Sequence, residues 1–184
     1  MAGLASKSQL RMSFLRYALV TVPALLLLGT LSGALSGSGN SNPWFAALHK
    51  PPLMPPGWVF GAVWTCLYIL LGLSLAMVLH ARGAKSRQKA VGLFGLELVL
   101  NLAWSPTFFA FHQVTAALSI IAAMIIVTVV LILVVWRIRV LAGLLLYPYL
   151  AWLMFASLLN YQILTLNPNA ATLAPHGAST DIRL

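Results

Sequence analysis

Acidic residues are nearly missing from this chain: Glu97 and Asp181 are the only two in 184 residues. No carboxylate pair is therefore available for general acid–base catalysis. A Ser-His-Asp set is equally excluded, because Glu97 is the single acid within the apolar part of the sequence. Cysteine is almost absent too. Cys66 stands alone inside an apolar run, so it forms no intrachain disulfide and supports no cysteine-based metal site. The four histidines, His49, His80, His112 and His176, are scattered over segment ends, linker and tail, a distribution that suits water interfaces and not metal ligation. No metal and no obligatory cofactor are expected.

What remains is overwhelmingly apolar. Hydrophobic residues make up 61% of the chain against 7% charged, and the mean hydropathy is +0.94. That is more apolar surface than one small soluble core can enclose, so the chain belongs in a lipid bilayer. A net charge of +9 raises the question of nucleic acid. The basic residues, however, sit in short clusters between long apolar runs and not along one polar face, so nucleic-acid binding is not expected. They act as topology signals instead.

The pattern predicts an all-α integral membrane bundle of five transmembrane helices, at about 17–35, 57–79, 90–111, 114–136 and 140–164, within a membrane domain covering 17–166. A basic segment, 1–16, precedes it, a linker occupies 36–56, and 167–184 has the composition of a flexible tail. Two rivals exist for the first span, a cleaved signal peptide and an organellar transit peptide, although its apolar run exceeds a usual signal core. Gly29, Gly33 and Gly37 form a ladder of small residues that favours close internal helix packing. Nine of the eleven Lys and Arg side chains, from Lys7 to Arg139, fall on one side of five spans, leaving Lys50 and Arg183 opposite. In a bacterial membrane this places the N-terminus in the cytoplasm and the linker outside.

Chemistry concentrates around 44–68, WFAALHKPPLMPPGWVFGAVWTCLY. Pro51, Pro52, Pro55 and Pro56 fix φ and remove backbone donors, so the segment is expected to stay extended until Gly57 opens a helix. Phe60, Trp64 and Tyr68 then share one helical face at i, i+4 and i+8, which together with the stiff rim suggests a binding cleft. In the third span Glu97, Asn101, Trp104 and Phe108 form a similar stripe. An acid at that depth needs a partner or must be neutral. Glu97 reads equally as a pocket residue and as hydrogen-bonding glue between helices, whereas for Asn101 the pocket reading is favoured. In the fifth span Tyr149, Trp152, Ala156 and Asn160 lie on one face, with Pro148 expected to kink the helix. Aromatic stripes ordinarily mean helix packing, but three of them on three spans favour a shared cavity. Trp44 and Trp58, at the membrane entry, also fit an interfacial aromatic belt.

The ordered motifs W-F-x-x-L-x-K-P, P-P-x-W-x-F-G-x-V-W-x-x-L-Y, LNLAWSPTFF at 100–109 and YPYLAWLMFASLLNY at 147–161 closely resemble the TspO/MBR family, the translocator or tryptophan-rich sensory proteins. The resemblance spans nearly everything from Trp44 to Asn167. It implies a five-helix bundle, commonly a homodimer, with a cavity beneath the first linker that takes porphyrins such as protoporphyrin IX or haem, benzodiazepine-like compounds and in some members sterols. The ligand contacts expected from the stripes and motifs together are Trp44, Lys50, Phe60, Trp64, Tyr68, Glu97, Asn101, Trp104, Phe108, Tyr149, Trp152 and Ala156, with Lys50 placed to meet a propionate at the mouth and Asn101 matching a family ligand contact. No catalytic residue is firm. A weak light-dependent porphyrin breakdown, as described for the family, would involve Trp64 and Trp152. Sensing is the first expectation, transport of a hydrophobic solute or a scaffolding role the alternatives. The sequence also departs from the family pattern. Glu97 stands where a neutral amide is usual, the usual Trp between Lys-Pro and Pro-Pro is replaced around Pro52 and Leu53, and no Lys or Arg follows Tyr161 within five residues, so the cholesterol-recognition pattern is missing.

Overall fold

A helix satisfies every backbone N–H and C=O within its own segment, which is why long apolar stretches cross lipid in this form. The computed structural model describes residues 7–173, with side chains from Met12 onward. Its helices are α1 (Lys7–Leu35), α2 (Pro43–Ala47), α3 (Gly57–His80), α4 (Arg87–Ser105), α5 (Val114–Trp136), α6 (Val140–Leu144) and α7 (Tyr147–Leu166). A π-helical turn, Pro106–Ala110, prolongs α4, and a 3-10 turn covers Ala170–Thr172. Five of these stretches are long and apolar enough to cross a membrane: Met12–Leu35, Gly57–His80, Arg87–Ala110, Val114–Trp136 and Val140–Leu166. The protein is an all-α membrane bundle, as its composition requires.

Large apolar side chains such as Leu19, Leu27, Val99, Ile126 and Leu133 point outward. With lipid as solvent they need no protein partner, so the helices are held by close approach and hydrogen bonds. Between α1 and α3 the Thr21 hydroxyl donates to the Gly72 carbonyl at 2.8 Å. A Cβ at Gly72 would come within 2.7 Å of the Val22 Cα, so this crossing requires glycine. Ser32 donates to the Leu102 carbonyl and Ser74 to the Ala142 carbonyl, each at 2.8 Å, and Asn160 Nδ2 donates to the Val114 carbonyl at 3.0 Å. Arg82 donates twice to the Tyr17 hydroxyl, at 3.2 and 2.9 Å, and Arg139 lies 3.2 Å from His80 Nδ1. These contacts gather the basic ends of α1, α3 and α5 at one end of the bundle.

The structure revises several expectations. Of the glycine ladder, Gly29 packs under the Tyr68 ring and Gly33 faces the Ser38 hydroxyl. Gly37 lies beyond the helix with φ +61°. There it ends α1 in a Schellman motif, its N–H bonding the Ala34 carbonyl at 3.1 Å and the Ser38 N–H the Gly33 carbonyl at 2.9 Å. The linker is not extended throughout: α2 starts where the Asn42 side chain accepts the Phe45 N–H at 3.0 Å, with Pro43 in the first turn. α1 takes in much of the basic N-terminal segment, and α4 begins at Arg87, before the expected 90. Asn167 and Ala170, assigned by composition to a flexible tail, are buried. The rest of that expected tail, 174–184 with His176, Asp181 and Arg183, lies outside the described residues, as do residues 1–6.

Two packed layers result. One, around Leu67, Tyr68, Val78, Met124, Leu131 and Tyr149, fills the bundle toward its basic end. The other, around Trp44, Phe45, Leu48, Phe108, Val114 and Ile163, closes the opposite end beneath the linker.

Candidate ligand-binding cavity

α3 runs down from the linker while α4 and α7 rise toward it, so their aromatic stripes descend into one space. That space is a cavity of about 480 Å³ between the two packed layers. Phe60 and Trp152 meet edge to face at 5.7 Å across it. Trp64 stacks on Tyr68 at 5.4 Å, and Trp104 on Phe108 at 5.2 Å. Phe45 and Met54, both from the linker, contribute the roof.

Eight of the twelve residues singled out in the sequence line this cavity: Phe60, Trp64, Tyr68, Asn101, Trp104, Phe108, Trp152 and Ala156. The other four lie elsewhere. Trp44 belongs to the layer above, 2% exposed. Its indole N–H donates to the Ala170 carbonyl at 2.7 Å and its ring stacks on His112 at 4.3 Å. It is therefore not an interfacial belt residue, whereas Trp58 is 75% exposed and faces outward. His112 holds a left-handed φ of 55°, a conformation unfavourable for a side chain with a Cβ, and the stacked Trp44 helps to fix it there. Lys50 is exposed outside the cavity, its Nζ 4.9 Å from the centre of the Phe45 ring.

Glu97 and Tyr149 lie one layer behind the floor. The Tyr68 hydroxyl donates to Asn101 Oδ1 at 2.8 Å, Asn101 Nδ2 donates to the Tyr149 oxygen at 3.0 Å, and the Tyr149 hydroxyl donates to Glu97 Oε1 at 2.7 Å. The stripes converge in angle but differ in depth. Glu97 is a full turn, roughly 6 Å, below Asn101, and the cavity stops at Asn101.

Sequence reasoning also missed lining residues. Phe45 faces the cavity because of the α2 turn, which the nearby prolines obscured although Asn42-Pro43 is a legible helix start, and Met54 ends a separate turn in which its N–H bonds the Pro51 carbonyl at 3.0 Å. Phe109 is turned inward by the π-helical turn, whose extra residue shifts the face presented after Pro106. Asn160, already on the fifth-span stripe, lines the cavity as well.

Chemically the site is a set of flat apolar walls with few polar groups. Trp104 Nε1, Trp152 Nε1 and Asn160 Oδ1 are buried atoms of lining residues without a protein hydrogen-bond partner, two donors and one acceptor. Among the described residues no cluster of three potential ligands exists to hold a metal.

Residues 20–166 match the TspO/MBR family. The tryptophan-rich protein TspO of Chlorobaculum tepidum is 44% identical over 127 residues, covering 68% of this chain and 80% of the relative. The translocator protein of Bos taurus is 37% identical over 142 residues, covering 74% and 82%. The tryptophan-rich protein TspO of Archaeoglobus fulgidus is 35% identical over 147 residues, covering 80% and 94%.

Proposed function

The chain belongs to the TspO/MBR family, and from that premise we propose that it binds flat aromatic ligands, tetrapyrroles and benzodiazepine-like compounds, in the cavity beneath its linker, in a sensory or regulatory role. The observation that carries this reading is the cavity of about 480 Å³ walled by Phe60, Trp64, Trp104, Phe108 and Trp152. Its volume falls in the range of small-molecule sites, and aromatic walls stack on conjugated rings. The indole N–H groups of Trp104 and Trp152, without protein partners, suit ligand carbonyl or carboxylate oxygens. Lys50, over the roof residue Phe45, supplies positive charge near the mouth for a propionate. Trp64 and Trp152 flank the space where light-dependent porphyrin breakdown would occur. The linker and the cavity mouth face the outside of a bacterial membrane in this reading, opposite the basic end.

A second reading, passage of a hydrophobic solute, draws support from Gly61, an exposed position of α3 that lines the cavity. α1 and α3 touch at Val22–Gly72 and Gly29–Tyr68, whereas nothing lies within 4 Å of a Cβ placed at Gly61. A side opening at Gly61 would connect the cavity with lipid. Titrating the purified protein with protoporphyrin IX while following tryptophan fluorescence tests the binding reading. Saturable quenching is expected, and quenching that stays linear in porphyrin would reject it.

A further inference from the structure

Behind the cavity floor, Tyr68 of α3, Asn101 and Glu97 of α4, and Tyr149 of α7 form one continuous hydrogen-bonded row. Thr128 of α5 stands at its far end beside the carboxyl. We propose that Glu97 is a positioning residue that sets, through this row, whether the Tyr68 phenol offers the cavity a hydrogen-bond acceptor or a donor. The proposal deepens the ligand-binding reading above and rests on it.

The row has two self-consistent polarities. In the first, Tyr68 gives its proton to Asn101 Oδ1, Asn101 Nδ2 donates to Tyr149, and Tyr149 donates to Glu97 Oε1. The Tyr68 oxygen then has only lone pairs left for the cavity it lines. In the second, a protonated Glu97 donates to the Tyr149 oxygen, Tyr149 donates to the turned-over amide of Asn101, and the amide N–H donates to Tyr68. The Tyr68 hydroxyl proton is now free to point at a ligand.

A neutral Glu97 permits both states. Its Oε2 and the Thr128 hydroxyl are both buried without a hydrogen-bond partner, and Thr128 is within reach of the carboxyl. With the carboxyl proton on Oε2, Thr128 accepts it and Oε1 receives Tyr149. With the carboxyl turned over, the protonated oxygen faces Tyr149 and Thr128 donates to the other. The interchange rotates hydroxyls, one amide and one carboxyl and breaks no covalent bond. A carboxylate can only accept, so it locks the row in the first polarity. Among the described residues, the groups acting on the carboxyl are Tyr149 from α7 and Thr128 from α5, with Tyr68 of α3 reached through Asn101; α1 and α6 contribute none, and no Lys, Arg or His acts on it.

Specificity follows. A ligand with an acceptor at Tyr68 requires the second polarity and therefore the protonated acid. A ligand with a donor there uses the first and is indifferent to the loss of that proton. Fluorenone and carbazole are matched flat tricycles, the first carrying only a carbonyl acceptor and the second only an N–H donor, and neither titrates near neutrality. Binding of each to the purified full chain is followed by tryptophan fluorescence across pH.

Fluorenone affinity is expected to fall about two- to tenfold as pH rises, the loss of one hydrogen bond, and carbazole affinity to hold. Glu97→Gln, whose amide can donate or accept by turning over, should give a flat fluorenone profile. Tyr149→Phe should do the same, although Tyr149 does not line the cavity. An infrared arm on the ligand-free protein keeps the inference separate from the binding reading. Loss of a protonated-carboxyl band with rising pH, absent in Glu97→Gln, should be accompanied by a tyrosine band change that shrinks in Tyr68→Phe. Failure of both probes to quench saturably would reject ligand binding and leave the infrared arm to decide the row. A fluorenone fall that persists in Glu97→Gln, an equal fall for carbazole, no carboxyl loss in the parent, or a carboxyl loss without the Tyr68 component would overturn the proposal.

Discussion

Asn167→Ala is a direct test of how the cavity roof is fastened. The Asn167 side chain accepts the His49 N–H at 2.8 Å and donates to the His49 carbonyl at 2.9 Å, clasping the linker from the end of α7. A net contribution of about 0.5–1.5 kcal/mol for each bond gives roughly 1–3 kcal/mol for the clasp. Local opening of the turn around His49 should therefore become about 5- to 150-fold more frequent. Trp44 is anchored separately, by burial, by its bond to the Ala170 carbonyl and by the stack on His112. Hydrogen–deuterium exchange read by mass spectrometry in detergent should thus accelerate at Leu48–Lys50 and stay slow across α2. Bound protoporphyrin IX should dissociate faster, since Phe45 and Met54 of the roof flank the released turn. Unchanged exchange at His49 would show that the clasp contributes nothing. Equal acceleration at Trp44 would show that the linker opens as one piece, refuting the two-anchor account.

Trp152→Ala and Trp64→Ala should each weaken porphyrin binding by about 1–3 kcal/mol in fluorescence titrations. Trp136→Ala, at the basic end of the bundle, should not; equal losses at all three would point to general destabilisation. Gly72→Ala sets a Cβ against the Val22 backbone and should lower stability by about 1–3 kcal/mol in thermal unfolding. Gly92→Ala, with nothing within 4 Å, should be neutral or raise stability by up to about 1 kcal/mol through helix propensity. In a Cys66→Ala background, a cysteine at Ser41 should react with an impermeant thiol reagent added outside bacterial cells and one at Lys85 should not; the reverse pattern would invert the topology.

Much of the bundle was legible because lipid makes hydropathy decisive. The run of Ala, Ile, Val and Leu in α5 has no alternative, and Phe60, Trp64 and Tyr68 had to share a face once α3 was helical. Depth along a stripe was less legible. Glu97 and Tyr149 have the right angle to face the cavity, but their level is fixed by Tyr68 and Asn101 packing over them, a relation between helices that one stretch of sequence does not encode. The linker was harder still. Trp44 and Phe45 are adjacent, and only the α2 turn, capped by Asn42, decides that Phe45 looks into the cavity while Trp44 is held above it. The order of Asn167–Leu173 comes from long-range bonds to Trp44 and His49, and so lay beyond any reading by composition.

The bond from Trp44 to the Ala170 carbonyl joins residues 126 positions apart. A ribosome releases the chain from its N-terminal end, so every wall of the cavity is synthesised before the piece that fastens its roof. A nascent chain stopped at the end of α7 would have the aromatic stripes in place and an unfastened linker. Completion of the pocket is thereby tied to synthesis of the short segment that follows α7, and a polypeptide cut short before Asn167 should retain its membrane helices while failing to keep a ligand enclosed.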